Sequence, residues 1–220
     1  MKIAFFGTWD FSKNILNDLL LYKDIEVLLL VSQPDKIVWR KKELLNTPVK
    51  ELWIKKNIEI SQPEKLLKNE EFKEKLKSLN LDFIIVVAYW KIIPESILNI
   101  PKHGSINIHW SILPKYRWAS PIQESIKNWD KKTWLTIMYM SKGMDEWDLL
   151  KIKEINIDNL DKTPDLFKKF EQIWPKLLYE TLHEILLWKI KPIKQDNSIA
   201  TYCKKIEKND WKIDFKETTV

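Results

Sequence analysis

The chain has 220 residues, 45% of them apolar and 31% charged, a composition that belongs to folded globular proteins and excludes intrinsic disorder. Thirty-seven Lys and Arg against thirty-one Asp and Glu leave a formal charge of +6, which favours polyanionic partners without the density of a dedicated nucleic-acid coat. Cys203 is the single cysteine and no apolar run approaches the ~20 residues of a membrane span, so a reducing cytoplasmic setting, with no membrane partner and no metal, is expected.

The apolar run 2–6 opens the chain as a strand rather than a signal peptide, and a Gly-Thr turn leads to helix-spaced apolar residues over 11–22. Glu26–Val31 repeats the strand signal. Residues 33–50, QPDKIVWRKKELLNTPVK, form a long, polar, basic loop. A helix is expected over 49–56, a charged amphipathic helix over 64–79, and a buried strand at Phe83–Val87. Then come a strand over 104–109, a helix over 119–128, a strand over 135–140 and an exposed antiparallel strand over 151–157. A long helix spans 163–187, with an interruption expected near Trp174-Pro175. This alternation predicts an α/β, Rossmann-like architecture: a mostly parallel twisted sheet with helices on both faces. One domain over 1–190 accounts for it, and 191–220 reads as an edge or the start of a linker.

Glycine is scarce. The chain has 3 glycines and 12 tryptophans, where an ordinary composition would give about 15 glycines. The tryptophans also occupy glycine's usual places: Trp39 before a basic loop, Trp90 after a strand, Trp129 in Asn-Trp-Asp, Trp188 after a helix and Trp211 in Asn-Asp-Trp. Such turns use the φ > 0 region, which is unfavourable for a bulky side chain. The expectation is that many or all twelve are glycine in the native protein, as they would be if UGA codons were read as glycine. An aromatic-rich surface or core is the alternative.

Open parallel sheets bind ligands beyond the carboxyl ends of their strands. Asn107 and His109 stand at such an end, in SINIH, and a spacing of two on a strand turns both side chains to one face. Asp145, in SKGMDEWD, reaches the same crevice if its preceding strand is a neighbour. An amide donor, a group titrating near neutrality and a carboxylate make an acid–base set. No serine or cysteine nucleophile accompanies them, which favours direct transfer to an external nucleophile. A structural role for His109 stays open on spacing alone, and His103 and His183 read as structural. GTWDFS matches a dinucleotide fingerprint poorly, because Ser12 replaces its last glycine and the second strand ends in Ser32-Gln33 without an acidic residue; a tight turn is preferred. Lys36, Arg40, Lys41 and Lys42 could contact phosphates or form a solvated loop.

FFGTWDFS, QPDK with TPVKEL, VVAYWKIIP, NIHWSILPKYRWASPIQ, TIMYMSKGMDEWDLL and ATYCKKI together resemble the methionyl-tRNA formyltransferase family over nearly the whole chain. Tryptophan stands where the family pattern has glycine, as after Tyr89, after Arg117 and in Asn128-Trp129-Asp130. The resemblance implies that Asn107, His109 and Asp145 are the catalytic residues and that 10-formyltetrahydrofolate is the formyl donor to initiator methionyl-tRNA. It implies a folate crevice formed by Tyr89, Trp90, Ile92, Ser111, Leu113, Pro114, Gly143 and Asp145. It implies tRNA contacts from Lys36, Arg40, Lys41 and Lys42. By the same resemblance a small β-barrel that follows in the family is absent here, and a monomer is expected. An amino-sugar-nucleotide formyltransferase and a non-catalytic folate- or RNA-binding module are the alternatives.

Overall fold

The structure is a computed structural model describing residues 1–38, 43–56, 58–207 and 210. In chain order the first half contains β1 (Lys2–Gly7), α1 (Asp10–Leu19), β2 (Glu26–Val31), β3 (Lys36–Val38), β4 (Glu43–Leu45), α2 (Pro48–Lys56), β5 (Ile60–Ser61), α3 (Glu70–Ser78) and β6 (Phe83–Val87). The second half contains α4 (Glu95–Leu98), β7 (Ser105–His109), β8 (Arg117–Trp118), α5 (Pro121–Lys127), β9 (Lys132–Tyr139), β10 (Leu149–Asn156), α6 (Thr163–Leu186) and β11 (Tyr202–Cys203).

The main sheet has seven strands in the order β10-β9-β7-β6-β1-β2-β5. β5, β2, β1, β6 and β7 run parallel, and β9 and β10 add an antiparallel edge. β1 and β6 are apolar on both faces because helices cover both. Ile3, Phe5, Ile85, Ile106, Ile108 and Ile137 face one core, which α6 closes with Leu166, Phe170, Trp174, Leu178 and Leu182 at spacings of four. Ala4, Phe6, Ile84 and Val86 face the other, under Phe72 and Leu76 of α3 and Ile97 of α4. Each fully buried aliphatic or aromatic side chain contributes roughly 1.5–3 kcal/mol of burial free energy. The chain winds from β1 outward to β2 and β5, then crosses back to β6, so a crevice opens beyond the carboxyl ends of β1 and β6.

Three elements differ from the sequence reading. α6 runs unbroken through Pro175, because Phe170, Trp174 and Leu178, all buried, anchor the helix on both sides of the missing N–H. α3 begins at Glu70, where Asn69 Oδ1 accepts the Phe72 N–H at 3.1 Å and caps the first turn. The segment 33–50 is no plain loop: β3 and β4 pair antiparallel within it.

Asp35 ties the base of that segment together. Its carboxylate accepts Gln62 Nε2 at 2.8 Å and the Thr47 N–H at 3.3 Å, and pairs with Lys50 Nζ. Burial pushes the Asp35 carboxyl up, but the bonds from Gln62, Lys50 and Thr47 outweigh it and hold it below the usual carboxylate value. A depressed carboxylate stabilises the fold fully above its unfolded pKa of about 3.9 and loses that contribution as pH falls through the lower folded value. Melting temperatures followed down from pH 6 should therefore fall more steeply below about pH 4 in the parent than in Asp35→Asn. At pH 7 Asp35→Ala should cost about 1–3 kcal/mol, by removing the ion-pair partner of Lys50 and one of three acceptors of Gln62 Nε2.

Turn geometry explains several local residue choices. At Gly7 a Cβ would meet the Phe5 ring and Ser12 Cβ at 2.7 Å, and Ser12 Oγ donates to Val87 O at 2.7 Å. The chain itself fills this strand-to-helix turn, as the tight-turn reading expects. Trp90, Trp118, Trp129 and Trp188 have φ between +54° and +82°, the left-handed region that favours glycine, and all four rings are exposed. Trp39 and Trp211 lie outside the described residues.

Candidate active site

Asn107 and His109 reach one face of β7 because the alternate residues Ile106 and Ile108 are committed to the core on the other face. Asn107 pairs in register with Val86 on one side and Met138 on the other, and its Nδ2 donates to Val86 O at 3.0 Å. One amide proton is thereby fixed and the second remains for a ligand. His109 is 5% exposed, with Nε2 at 3.0 Å from Tyr116 O. A carbonyl only accepts, so Nε2 carries the proton and Nδ1 is the nitrogen turned to the site.

Asp145 comes from the β9–β10 connection, which folds back across this face over a pad formed by Leu113, Met138, Trp147 and Leu149. Its Oδ2 lies 3.8 Å from His109 Nδ1 and accepts the Trp118 N–H at 2.8 Å. Asp145 itself has φ +57°, and Gly143 two residues earlier has φ +116° where a Cβ would meet Glu146 Oε1 at 1.8 Å. The turn thus needs glycine at 143 and holds Asp145 in a conformation Asp tolerates better than most residues.

The structure thus places an amide, Asn107, and an imidazole, His109, on one face at the carboxyl end of β7, with the Asp145 carboxylate 3.8 Å from the imidazole. The remaining expected site residues scatter more. Trp90 and Ile92 are exposed after β6, Ile92 at 84%. The Tyr89 ring is buried edge-on against Phe6 at 5.3 Å, and burial pushes its hydroxyl well above the ordinary value. The Tyr89 carbonyl accepts Gln33 Nε2 at 2.6 Å. Ser111 is buried, donating to Lys115 O at 2.7 Å, so it shapes the loop from within. Leu113 packs in the pad under the Asp145 loop, and Pro114 follows it through a cis peptide bond. Lys36 opens β3, while Arg40, Lys41 and Lys42 lie outside the described residues.

Two partners of the triad escaped the sequence reading: the main-chain atoms Tyr116 O and Trp118 N, which receive His109 and hold Asp145. Main-chain partners have no residue signature; the nearest signal was their place in PKYRWASP, between the SILP loop and a helix start. Among the described residues no three His, Cys, Asp or Glu side chains gather as metal ligands, and no helix is long and apolar enough to cross a membrane.

Residues 1–182 match the family model described as formyl transferase. The chain belongs to the formyl transferase family. Along its entire length it is 44% identical to the methionyl-tRNA formyltransferase of Caldicellulosiruptor saccharolyticus, covering 70% of that protein. It is 41% identical to the methionyl-tRNA formyltransferase of Nostoc sp., covering 67% of it. Among solved formyl transferases, phosphoribosylglycinamide formyltransferase from Bacillus halodurans superposes with a TM-score of 0.68 at 22% identity, over 84% of this chain and 95% of that one. An N-formyltransferase from Helicobacter canadensis, solved with folinic acid and dTDP-3-aminofucose, gives 0.68 at 19% identity over the whole of this chain and 77% of that one. At these identities the structural likeness establishes the family fold, a seven-stranded, mostly parallel sheet, and nothing finer.

Proposed function

We propose that this chain transfers a formyl group to the α-amine of methionine carried on initiator tRNA, with 10-formyltetrahydrofolate as the donor. The formyl-transfer assignment rests on family membership and on full-length identity to proteins named for that reaction. The single observation that carries the chemistry is the meeting of Asn107, His109 and Asp145 on one sheet face.

In this reading the neutral amine attacks the formyl carbon, a C–N bond forms, the bond to the donor nitrogen breaks and tetrahydrofolate leaves. The free amide proton of Asn107 and a protonated His109 Nδ1 face the formyl oxygen as negative charge builds on it. One well-placed donor of this kind contributes about 3 kcal/mol. The Asp145 carboxylate orients His109 across 3.8 Å and receives the amine proton, directly or through water, and that proton passes on to the departing donor nitrogen, so tetrahydrofolate leaves neutral and the carboxylate is restored. The folate crevice lies beside the segment after β6, where exposed Ile92 offers apolar surface to a flat ring and the exposed Trp90 indole narrows the approach. Its remaining lining is the loop of Leu113 and Pro114 and the Gly143 turn. The basic residues Lys36, Arg40, Lys41 and Lys42 are assigned to the tRNA, and contacts of that type weaken steeply with salt.

A competition assay tests the reading. Labelled 10-formyltetrahydrofolate offered to a mixture of methionyl-tRNA, an amino sugar nucleotide and glycinamide ribonucleotide should label the tRNA-linked methionine first and fastest. Preferential labelling of either small acceptor would transfer the assignment to that substrate class. Folate binding with no labelled acceptor would support a non-catalytic module.

A further inference from the structure

Arg117 is 1% exposed, yet among the described residues no carboxylate pairs with its guanidinium. A buried charge without a counter-ion is costly unless its donors are satisfied. Here the oxygens come from two amides of the C-terminal segment: Gln195 Oε1 accepts Nη2 at 2.8 Å and Nε at 3.3 Å, and Asn197 Oδ1 accepts Nη2 at 2.6 Å. The Tyr202 ring adds its face at 6.0 Å.

The other end of Gln195 holds the catalytic loop. Its Nε2 donates to Asp145 O at 2.9 Å and to Trp147 O at 2.8 Å. Asp145 is therefore gripped twice, by Gln195 at its carbonyl and by the Trp118 N–H at its carboxylate. Trp118 is the residue after Arg117, so both grips return to one short strand. That strand, β8, is zipped to the same C-terminal segment: β11 pairs with it in parallel, the Arg117 N–H donates to Thr201 O at 2.9 Å and Thr201 Oγ1 accepts the Tyr116 N–H at 2.9 Å. Tyr116 supplies the carbonyl that receives His109.

From this closed circuit we infer that Gln195, locked by Arg117, is a positioning residue that holds the left-handed Asp145 turn so that its carboxylate addresses His109. The inference rests on the proposed catalytic role of Asp145. A glutamine suits the position because one end must accept from a cation while the other donates to two carbonyls. No other side chain of that length offers both.

Gln195→Glu separates the two ends. A carboxylate keeps and strengthens the bond to Arg117, so the β8–β11 clasp should hold and the melting temperature should fall by only a few degrees, but it has no N–H for Asp145 O or Trp147 O. With the turn released, kcat should fall about 10- to 100-fold, as small misplacements of a catalytic group do, while KM for the folate stays within about twofold. In an Asp145→Asn background the same substitution should change kcat less than about twofold, because the group it positions has already been disabled. Wild-type kcat in Gln195→Glu, or an equal fold loss in both backgrounds, would overturn the positioning role while leaving the catalytic assignment intact. Near-normal turnover in Asp145→Asn alone would overturn that assignment and this inference together.

Discussion

Asp145→Asn should lower turnover by about 10²–10⁴-fold while leaving the fold in place, the range over which positioned acid–base groups act. The substitution is well suited to the question because Asn Oδ1 can still accept the Trp118 N–H that Asp145 Oδ2 now receives at 2.8 Å. The loop keeps its anchor and loses only charge and basicity. Little else needs the carboxylate: among the described residues its contacts are the Trp118 N–H and the His109 ring at 3.8 Å. His109→Ala should produce a loss of the same order with a moderate stability cost, about 1 kcal/mol, because it removes the partner of the half-buried Tyr116 carbonyl. Steady-state formylation paired with thermal melts distinguishes the two effects. Turnover within a few-fold of the parent in either variant would remove the acid–base role from the site.

Glycine at positions 90, 118, 129 and 188 should stabilise the chain. Holding an L-residue in the left-handed region costs roughly 1–2 kcal/mol, and the extra unfolded-state entropy of glycine returns part of that, leaving about 1 kcal/mol per site. The four rings are 54%, 46%, 80% and 87% exposed, so little burial is lost with them. For a chain of this size four such gains raise the melting temperature by roughly 8–16 °C if they add. Position 90 carries a second consequence: the ring stands after β6 beside the proposed folate crevice. Trp90→Gly alone should lower KM for the folate. A quadruple variant that melts no higher than the parent would show that the surrounding structure accommodates these indoles. Half-buried Trp110 and buried Trp147 and Trp174 present a different strain, since their buried Nε1 atoms have no hydrogen-bond partner.

The sheet was legible in the sequence where short-range pattern sets the structure. β2 and β6 lie where their apolar runs lie, because strands buried on both faces are written as continuous Val, Ile, Leu and Phe. The pairing of Asn107 with His109 followed from the period of a strand, and Asp145 joined them once β9 proved to neighbour β7. What the residues did not announce were interactions between distant side chains and main-chain atoms. The Asp35 hub joins residues 27 positions apart, and Gln195 meets Arg117 across 78, separations that leave no periodic trace. QPDK and TPVK were read as marks of a basic loop, but Asp35, Thr47 and Lys50 within them bond one another and fasten its base. Pro175 suggested a break because propensity is local, whereas the flanking anchors that overrule it are tertiary.

The decisive measurement is a single turnover with the chain in excess over labelled 10-formyltetrahydrofolate and methionyl-tRNA, quenched at successive times and separated into folate, protein and tRNA. On the proposed mechanism, in which Asn107, His109 and Asp145 act at the carbonyl without a protein nucleophile, the label should pass straight from folate to the methionine α-amine, with none on the protein at any time. Label that accumulates on the protein before reaching the tRNA, or that never leaves the folate, would contradict direct transfer at this site.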